Sequence, residues 1–323
     1  MKPRLVSAPD AYYVAVILML IGAGWLPSDR LRGRLARLLG SLACVVSRGK
    51  RRRIERSLAN AFGRPAEPRI VRAAFEEFWR EMLCWTSPMR DAVTTGGIEH
   101  LQRARDSGRG AILWESNAFG RRLLMKKALH AHGFAVHQVH GPNSVGHLLA
   151  EGSPTTRART AIVRKFFDRR EIRFVEDILY LPASDSLAFT RTLLEKLQKN
   201  AILCIAGDGH VGRRLIELPF LGGTIGLSAG MPNLAKLSGA PLLPVFCMPR
   251  SDGSARLEIG PPIEVDRSAD RDDALRLAVA EFVTRLEALV RREPGGYRNW
   301  HLLAAAAESG MERADANSGT GRA

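Results

Sequence analysis

Apolar and polar residues follow two alternating patterns through most of the chain. Short apolar runs predict strands, and longer segments with apolar residues at three- and four-residue steps predict helices. The predicted strands are 111–115, 135–140, 172–175, 201–206, 241–248 and 256–259, the last of them at a sheet edge. The predicted helices are 68–85, 96–110, 119–132, 155–167, 185–199, 227–237 and 270–292. This alternation predicts an α/β fold, with a mostly parallel central sheet and helices on both faces.

The N-terminal segment has a different pattern. Residues 11–26 carry no charge, and Asp10 and Asp29 bound the uncharged window. A helix of that length spans about 27 Å, against about 30 Å for the hydrocarbon core of a bilayer. We therefore predict an apolar membrane-anchoring helix in residues 1–28, which either spans the bilayer or dips into it. The alternative is a buried core helix.

Charge adds a second indication of a membrane. Lys and Arg outnumber Asp and Glu by 48 to 33, which gives a net charge of +15. The excess is concentrated in residues 29–66, and a basic segment next to an apolar run is typical of a surface that faces anionic lipid. The same charges predict that the body of the protein is cytoplasmic. No nucleic-acid partner is predicted, because neither a recognition-helix pattern nor an RNA-binding signature accompanies the basic residues.

Several kinds of site are absent from the sequence. The cysteines do not stand at CxxC spacing, which argues against a zinc site or a disulfide framework. The chain has no P-loop, no GxGxxG after a strand, and no GxSxG of the serine hydrolases. We therefore predict neither a metal nor a cofactor.

Ligands of such sheets bind beyond the carboxyl ends of the strands. The loop after the strand 111–115 contains Glu115, Asn117, Arg121 and Arg122. Arginines are unfavourable at the positive end of a helix dipole, so a bound anion, a phosphate or Glu115 itself is needed to explain them. Surface ion pairs with Glu115 are the alternative.

The loop after the strand 201–206 reads GDGHVGRR. Its glycines let the backbone approach a ligand closely. Asp208 and His210 supply acid–base groups, and Arg213 and Arg214 supply positive charge. This mixture suits a phosphorylated acyl donor, whereas the alternative is a surface hairpin loop with incidental charge.

Four segments carry a resemblance to a known family: RRIERSLANAFG at 52–63, LPFLGG at the start of 218–250, LEIGPPIEV at 257–265 and EPGGYRNWHLL at 293–303. With the order of the elements, they make the chain similar to the bacterial lysophospholipid and lipid A biosynthesis acyltransferases. The resemblance implies a lysophospholipid acyltransferase-like domain over 29–303. The small and polar composition near the C-terminus predicts a disordered tail at 304–323.

The same resemblance implies an activity. Such enzymes move a fatty acyl group from an acyl carrier protein or coenzyme A thioester to a lipid or amphipathic acceptor. They work at the cytoplasmic face of the bacterial inner membrane, beside an anionic membrane surface.

The chain departs from this family at its catalytic motif, a histidine followed four residues later by an acid. Asn117 and Arg122 stand in those places, or Ala118 and Leu123 if the alignment shifts by one residue. Three explanations stay open. The acid–base pair is rebuilt from nearby residues, the acceptor is a better nucleophile, or the protein is an inactive fold that binds lipid or a partner.

We assign predicted roles on the first explanation. Glu115 and His210 perform acid–base catalysis, with His140 in reserve, and Asn117 positions the acceptor. Asp208 orients His210 or one of the arginines. The remaining predicted substrate-binding residues are the arginines that would hold anionic groups of the donor or lipid: Arg121, Arg122, Arg213 and Arg214.

Overall fold

The computed structural model describes residues 8–26, 28–86, 93–116, 118–141, 157–182, 187–207, 215–250 and 254–305. The helices are α1 (Ala8–Gly24), α2 (Asp29–Val46), α3 (Arg48–Phe62), α4 (Pro68–Cys84), α5 (Ile98–Asp106), α6 (Arg122–Ala131), α7 (Arg157–Glu171), α8 (Leu187–Gln198), α9 (Gly230–Ser238) and α10 (Arg271–Arg292). The strands are β1 (Val93–Gly96), β2 (Ala111–Glu115), β3 (Val136–His140), β4 (Asp177–Tyr180), β5 (Ile202–Ala206), β6 (Leu215–Phe220), β7 (Gly223–Ser228), β8 (Leu242–Pro249), β9 (Ala255–Ile259) and β10 (Ala304–Ala305).

The central sheet has the strand order β1-β9-β8-β2-β5-β3-β4. From β8 to β4 all neighbouring strands are parallel, whereas β9 runs antiparallel to β8. The predicted mostly parallel α/β sheet is therefore confirmed. Because β2, β5 and β3 are adjacent and parallel, their carboxyl ends lie side by side.

Alternating side chains of β2 enter different layers of the core. Ile112 and Trp114 lie in the layer formed with α8, α9 and α10. Ala111 and Leu113 lie in the layer formed with α5, α6 and α7. Since side chains two residues apart point to the same face, Glu115 lies on the α6 and α7 side of the sheet.

A smaller sheet of order β10-β7-β6 packs beside the main one. After α10, the chain forms two short 3-10 helices, Pro294–Gly296 and Asn299–Leu302, and then joins this sheet as β10. Ala304 and Ala305 pair with Thr224 and Gly223 of β7. The sequence placed these alanines in the disordered tail, which is wrong for them, and the rest of that tail lies outside the described residues.

Two strand predictions are wrong. Residues 172–175 form a turn before β4, in which buried Val175 fills the core without pairing. The segment 256–259 is not at an edge, because β1 pairs with the outer side of β9. Apolar residues indicate that a segment is buried, but not which strands it pairs with. The sequence pattern therefore could not reveal either the turn at 172–175 or the inner position of 256–259. The helix predicted from residue 227 begins at Gly230, since the preceding residues belong to the β6–β7 hairpin.

The N-terminal segment forms a helix, as predicted, but a membrane-spanning anchor is not supported. Ile17, Leu20 and Ala23 of α1 are buried in the core layer that contains the end of α4. In the described part of the chain, no helix combines the length and the apolar character needed to cross a bilayer. One face of α1 thus packs against the rest of the domain.

The stacking of Trp114 on Phe282 tests the packing of α10 against the sheet. The two rings lie 4.1 Å apart and nearly parallel, and both are fully buried. We expect Phe282→Ala to lower the free energy of unfolding by about 3–5 kcal/mol, as measured by urea denaturation. Leu277→Ala on the exposed side of the same helix is the matched control, with an expected loss under about 0.5 kcal/mol. Equal losses in the two variants would contradict this packing.

Candidate active site

The carboxyl ends of β2 and β5 are joined at Gly207. The backbone N–H of Gly207 donates a hydrogen bond to the carbonyl oxygen of Glu115, at 3.0 Å. A Cβ at position 207 would lie 1.6 Å from Nε1 of Trp114, so only glycine fits here. The hydrogen bond continues the pairing of β2 with β5, so the two loops start from neighbouring strand ends. Asn117 and residues 208–214, which include Asp208, His210, Arg213 and Arg214, lie outside the described residues.

The rest of the loop after β2 is held in an unusual backbone conformation. Gly120 and Arg121 both have positive φ, of 71° and 61°. For a non-glycine residue this conformation costs on the order of 1 kcal/mol, and it persists only where the surroundings hold it. The backbone N–H of Arg121 donates to a carboxylate oxygen of Glu81, and its guanidinium donates to Glu77 at 3.0 Å and to Sγ of Cys84 at 3.0 Å. Helix α4 therefore fixes the loop.

The C-terminal segment supports the same loop from another direction. The backbone N–H of Arg298 donates to the carbonyl oxygen of Ala118 at 2.8 Å. The ring of Tyr297 packs edge-on against Phe119, with centroids 6.1 Å apart. The sequence segment at 293–303 thus has a structural role at the candidate site.

Behind the loop lies a group of ionisable side chains that we name the buried charge cluster: Glu115, Arg122, Lys126, His140 and Glu171. Lys126 Nζ lies 3.1 Å from Oε1 and 3.0 Å from Oε2 of Glu115, and Arg122 Nε lies 3.2 Å from Oε1. Lys126 Nζ also lies 3.6 Å from Glu171. The cluster ties β2, α6, β3 and α7 together.

Charge balance explains how this cluster is tolerated in the core. Burial alone would raise the pKa of Glu115, but Lys126 and Arg122 outweigh it and lower that pKa. Burial acts in the same direction on Glu171, yet the hydrogen bond from His140 and the two cations lower its pKa to about 2. Two carboxylates thus face two cations, and no net charge is left in the low-dielectric interior.

His140 takes part in the cluster as a neutral ring. Burial lowers its pKa, and this effect outweighs the hydrogen bond to Glu171. Arg122 donates to Nδ1 of His140 at 3.0 Å, so the ring proton is on Nε2, which donates to Glu171 at 2.7 Å. His137 lies on the opposite face of β3, where it contacts Asp177 of β4 at 2.6 Å and Lys196 of α8.

These contacts bear on the predicted roles. Glu115 is committed to two cations that favour its charged form, which weakens it as a proton acceptor, and its role in catalysis stays a prediction. Arg121 and Arg122 are buried and paired with protein carboxylates, which explains their position without a bound anion. Substrate binding by Arg121, Arg122 and His140 also stays a prediction.

The sequence analysis missed Lys126 and Glu171. Lys126 stands four residues after Arg122, so both side chains extend from one face of α6, in an otherwise apolar stretch. This spacing was a usable signal for Lys126. Glu171 gave no such signal, because the fold alone brings the end of α7 to β3.

Removal of one cation tests the cluster. We expect Lys126→Met to lower the free energy of unfolding by about 3–5 kcal/mol, because Glu115 and Glu171 would share one remaining cation in the interior. Lys127→Met is the neighbouring control, for a half-buried lysine outside the cluster, with an expected change of about 0.5 kcal/mol. Urea denaturation of both variants gives the comparison. Unfolding of Lys126→Met at the wild-type urea concentration would contradict an energetic role for the cluster.

The lowered pKa of His140 predicts a dependence of stability on pH. As the pH falls from about 7 to about 5, the unfolded chain takes up a proton at residue 140 and the folded protein does not, so stability falls. A further loss follows below about pH 4.5, where unfolded Glu115 and Glu171 become protonated. His140→Gln should reduce the slope between about pH 7 and pH 5, measured from urea midpoints. The exposed His132→Gln is the control, and equal slopes in the two variants would refute the assignment.

Comparison with known proteins agrees with this architecture. The family model of the bacterial lipid A biosynthesis acyltransferases matches residues 155–303. The phosphatidylinositol mannoside acyltransferase of Mycolicibacterium smegmatis (strain ATCC 700084 / mc(2)155) is 27% identical over 300 residues, which cover 87% of this chain and 88% of that protein. The phosphatidylinositol mannoside acyltransferase of Mycobacterium tuberculosis (strain CDC 1551 / Oshkosh) is 26% identical over 152 residues, which cover 47% of this chain and 43% of that protein.

The family match includes the second strand-end loop and the C-terminal segment that supports the first. The longer of the two relatives' alignments extends the similarity across most of the chain. These similarities support the expected relationship to the lipid A-type acyltransferases and an enzyme of the transferase class.

Proposed function

We propose that the protein transfers a fatty acyl group from an acyl carrier protein or coenzyme A thioester to a hydroxyl of a membrane lipid. The observation that carries this proposal is the junction at Gly207, where the ends of β2 and β5 lie together at the carboxyl edge of the sheet. In an α/β sheet this edge is the place for a ligand. The similarity to the lipid A biosynthesis acyltransferases supplies the reaction class.

The acceptor we propose is an anionic phospholipid that carries a sugar. Both relatives named above are phosphatidylinositol mannoside acyltransferases, and a sugar offers hydroxyl groups as acceptors. The net charge of +15 suits an acceptor with a phosphate and an anionic membrane surface. We place the reaction at the cytoplasmic face of the inner membrane, in agreement with the basic segment at 29–66.

The reaction moves the acyl group from the sulfur of the thioester to an oxygen of the acceptor. The acceptor oxygen attacks the thioester carbonyl carbon and forms a C–O bond, while the C–S bond breaks. A base takes the hydroxyl proton, and the departing thiolate recovers a proton to leave as the thiol. A general base contributes about 10²–10⁴-fold to such a step.

We assign the base to His210 rather than to Glu115. The loop that carries His210 starts at Gly207, next to the loop after β2, and Glu115 is held by two cations behind that loop. Glu115 then positions the strand end. Asn117 would hold the acceptor hydroxyl or the carbonyl oxygen by hydrogen bonds. Asp208 would orient His210, and Arg213 and Arg214 would bind phosphate groups of the donor.

The test is an assay of the purified protein with palmitoyl-coenzyme A, palmitoyl-acyl carrier protein and phosphatidylinositol mannosides as acceptor. Mass spectrometry should find an acceptor heavier by one palmitoyl group. Failure with this acceptor but transfer to an endogenous lipid extract would correct the acceptor only. No transfer to any lipid from either donor would overturn the proposal.

The role of His210 gives a sharper prediction. His210→Ala should lower kcat by about 10²–10⁴-fold, with a smaller change in KM, because the base acts on the transition state. The control is His132→Ala, at an exposed histidine after α6, which should keep the wild-type rate. A wild-type rate in His210→Ala would exclude this residue as the base.

A further inference from the structure

Two segments that carry the family resemblance lie far apart in sequence and pack together in the structure. Helix α3 contains most of the first, at 52–63, and contacts the 3-10 helix Asn299–Leu302 of the second, at 293–303. At this contact the rings of Phe62 and Trp300 lie with their centroids 6.2 Å apart. The second segment also supports the loop after β2, so α3 is joined to the candidate site through it.

Two basic side chains project from the side of α3 that packs against the protein. The buried residues of this helix are Ile54, Ser57, Leu58 and Ala61. At about 100° per residue, Lys50 falls within the arc of these residues, and Arg53 falls next to it. Lys50 is half-buried, and its Nζ lies 5.7 Å from the ring centroid of Phe75 and 5.9 Å from that of Phe78. The Lys50 ammonium is thus directed toward the body of the protein.

A third cation lies against the loop after β2. Arg298 is 6% exposed, and a Cβ at Gly120 would lie 3.3 Å from Cζ of its guanidinium. The same Cβ would lie 3.3 Å from a carboxylate oxygen of Glu81, whose charge offsets part of that of Arg298. Glu81 also accepts a hydrogen bond from the backbone N–H of Arg121. Arg298 therefore brings positive charge to the backbone of the site loop.

His301 shows the sign of the electrostatic potential among these groups. Its Nδ1 donates to the carbonyl oxygen of Arg298 at 3.2 Å. Burial lowers the pKa of His301 to about 4, together with the charges of Lys50, Arg53 and Arg298. These three charges, which act most strongly on the ring, are all positive, whereas cations and carboxylates balance in the buried charge cluster. An unbalanced positive potential at a half-buried position favours the binding of an anion.

We propose that Lys50, Arg53 and Arg298 form a binding site for a phosphate group of the substrate, with His301 at its side. Lys50 and Arg53 would donate to the phosphate oxygens, and Arg298 would add charge from beneath. The proposed donors and the proposed acceptor all carry phosphate, so the inference rests on the proposed function for the source of that group. Its binding is measured without acyl transfer, and the two proposals can therefore fail separately.

Calorimetric titration of the purified full chain tests the site with two phosphate-bearing ligands that do not react. Coenzyme A represents the donor, and deacylated phosphatidylinositol mannoside represents the head group of the acceptor. We expect Lys50→Met with Arg53→Gln to raise the Kd of one of them by at least about tenfold, because two charge-assisted contacts to phosphate are lost. Methionine keeps an unbranched apolar side chain against the rings of Phe75 and Phe78. The ligand whose Kd rises identifies the phosphate as that of the donor or that of the acceptor.

The matched control is Arg48→Met with Arg52→Gln, which removes the same charge from the opposite, exposed face of α3. Because exposed charges are screened by salt, the control should change the Kd by less than about twofold. Equal weakening in the two variants would mean that the basic segment attracts anions without a defined site, and would overturn the proposal. An unchanged Kd for both ligands, or no binding of either by the wild type, would overturn it as well. Product formed in the acyl-transfer assay would leave the proposed function standing in each of these cases.

Nuclear magnetic resonance of the histidine rings gives a second readout, which a purely structural role of these residues would not alter. An anion bound among the cations favours the charged form of His301 and should raise its pKa by about 1 or more. The His301 resonance is assigned by its absence in His301→Gln. It should shift between about pH 7 and pH 5 only in the complex, because the ring of the free protein stays neutral over that range. A resonance that ignores pH in the saturated complex would contradict a phosphate beside His301.

Discussion

Four ionised side chains and a neutral imidazole share the dry space behind the carboxyl ends of β2 and β3. Removing charges from water is costly, and ion pairs repay this cost only when every charge has a partner. Here Lys126 and Arg122 stand between Glu115 and Glu171, so the interior carries no net charge. Loss of either cation would leave a carboxylate excess, and loss of either carboxylate would leave a cation excess. The ends of two strands and two helices are therefore fixed relative to one another by a single electrostatic condition.

The same charge balance accounts for the departure from the expected catalytic motif at Arg122. On the first of the two alignments, Arg122 stands in the place that the resemblance assigns to the acid, and its guanidinium lies 3.2 Å from Glu115. An acid at that position would be a third carboxylate beside Glu115 and Glu171, with Lys126 as the remaining cation. The change at Arg122 is thus part of the cluster, and the change at Asn117 accompanies it. A motif replaced as a connected unit is consistent with a base supplied from the neighbouring loop.

Local patterns predicted the layers of this fold well. The sequence gives the bounds of β2 correctly, because five consecutive buried residues between two turns allow little else. It missed β1, β6 and β7, which are strands with mixed polar and apolar faces whose pairing depends on distant partners. For the site, the loops after β2 and β5 were predicted from topology. The contacts around Glu115 could not be predicted in this way. Glu171 lies at the end of α7, and the position of α7 depends on parts of the chain that are distant in sequence.

Helix α4 connects the N-terminal helices with the candidate site. Along its length it packs against α1 and α2, and Gly40 lies directly on its backbone at Glu76. The next residue, Glu77, and Glu81 one turn later hold the guanidinium and the backbone N–H of Arg121, in the loop after β2. Successive residues of one helix thus touch α2 and the site loop. Because α4 is one continuous helix, it holds the N-terminal helices and the candidate site at a fixed distance from each other.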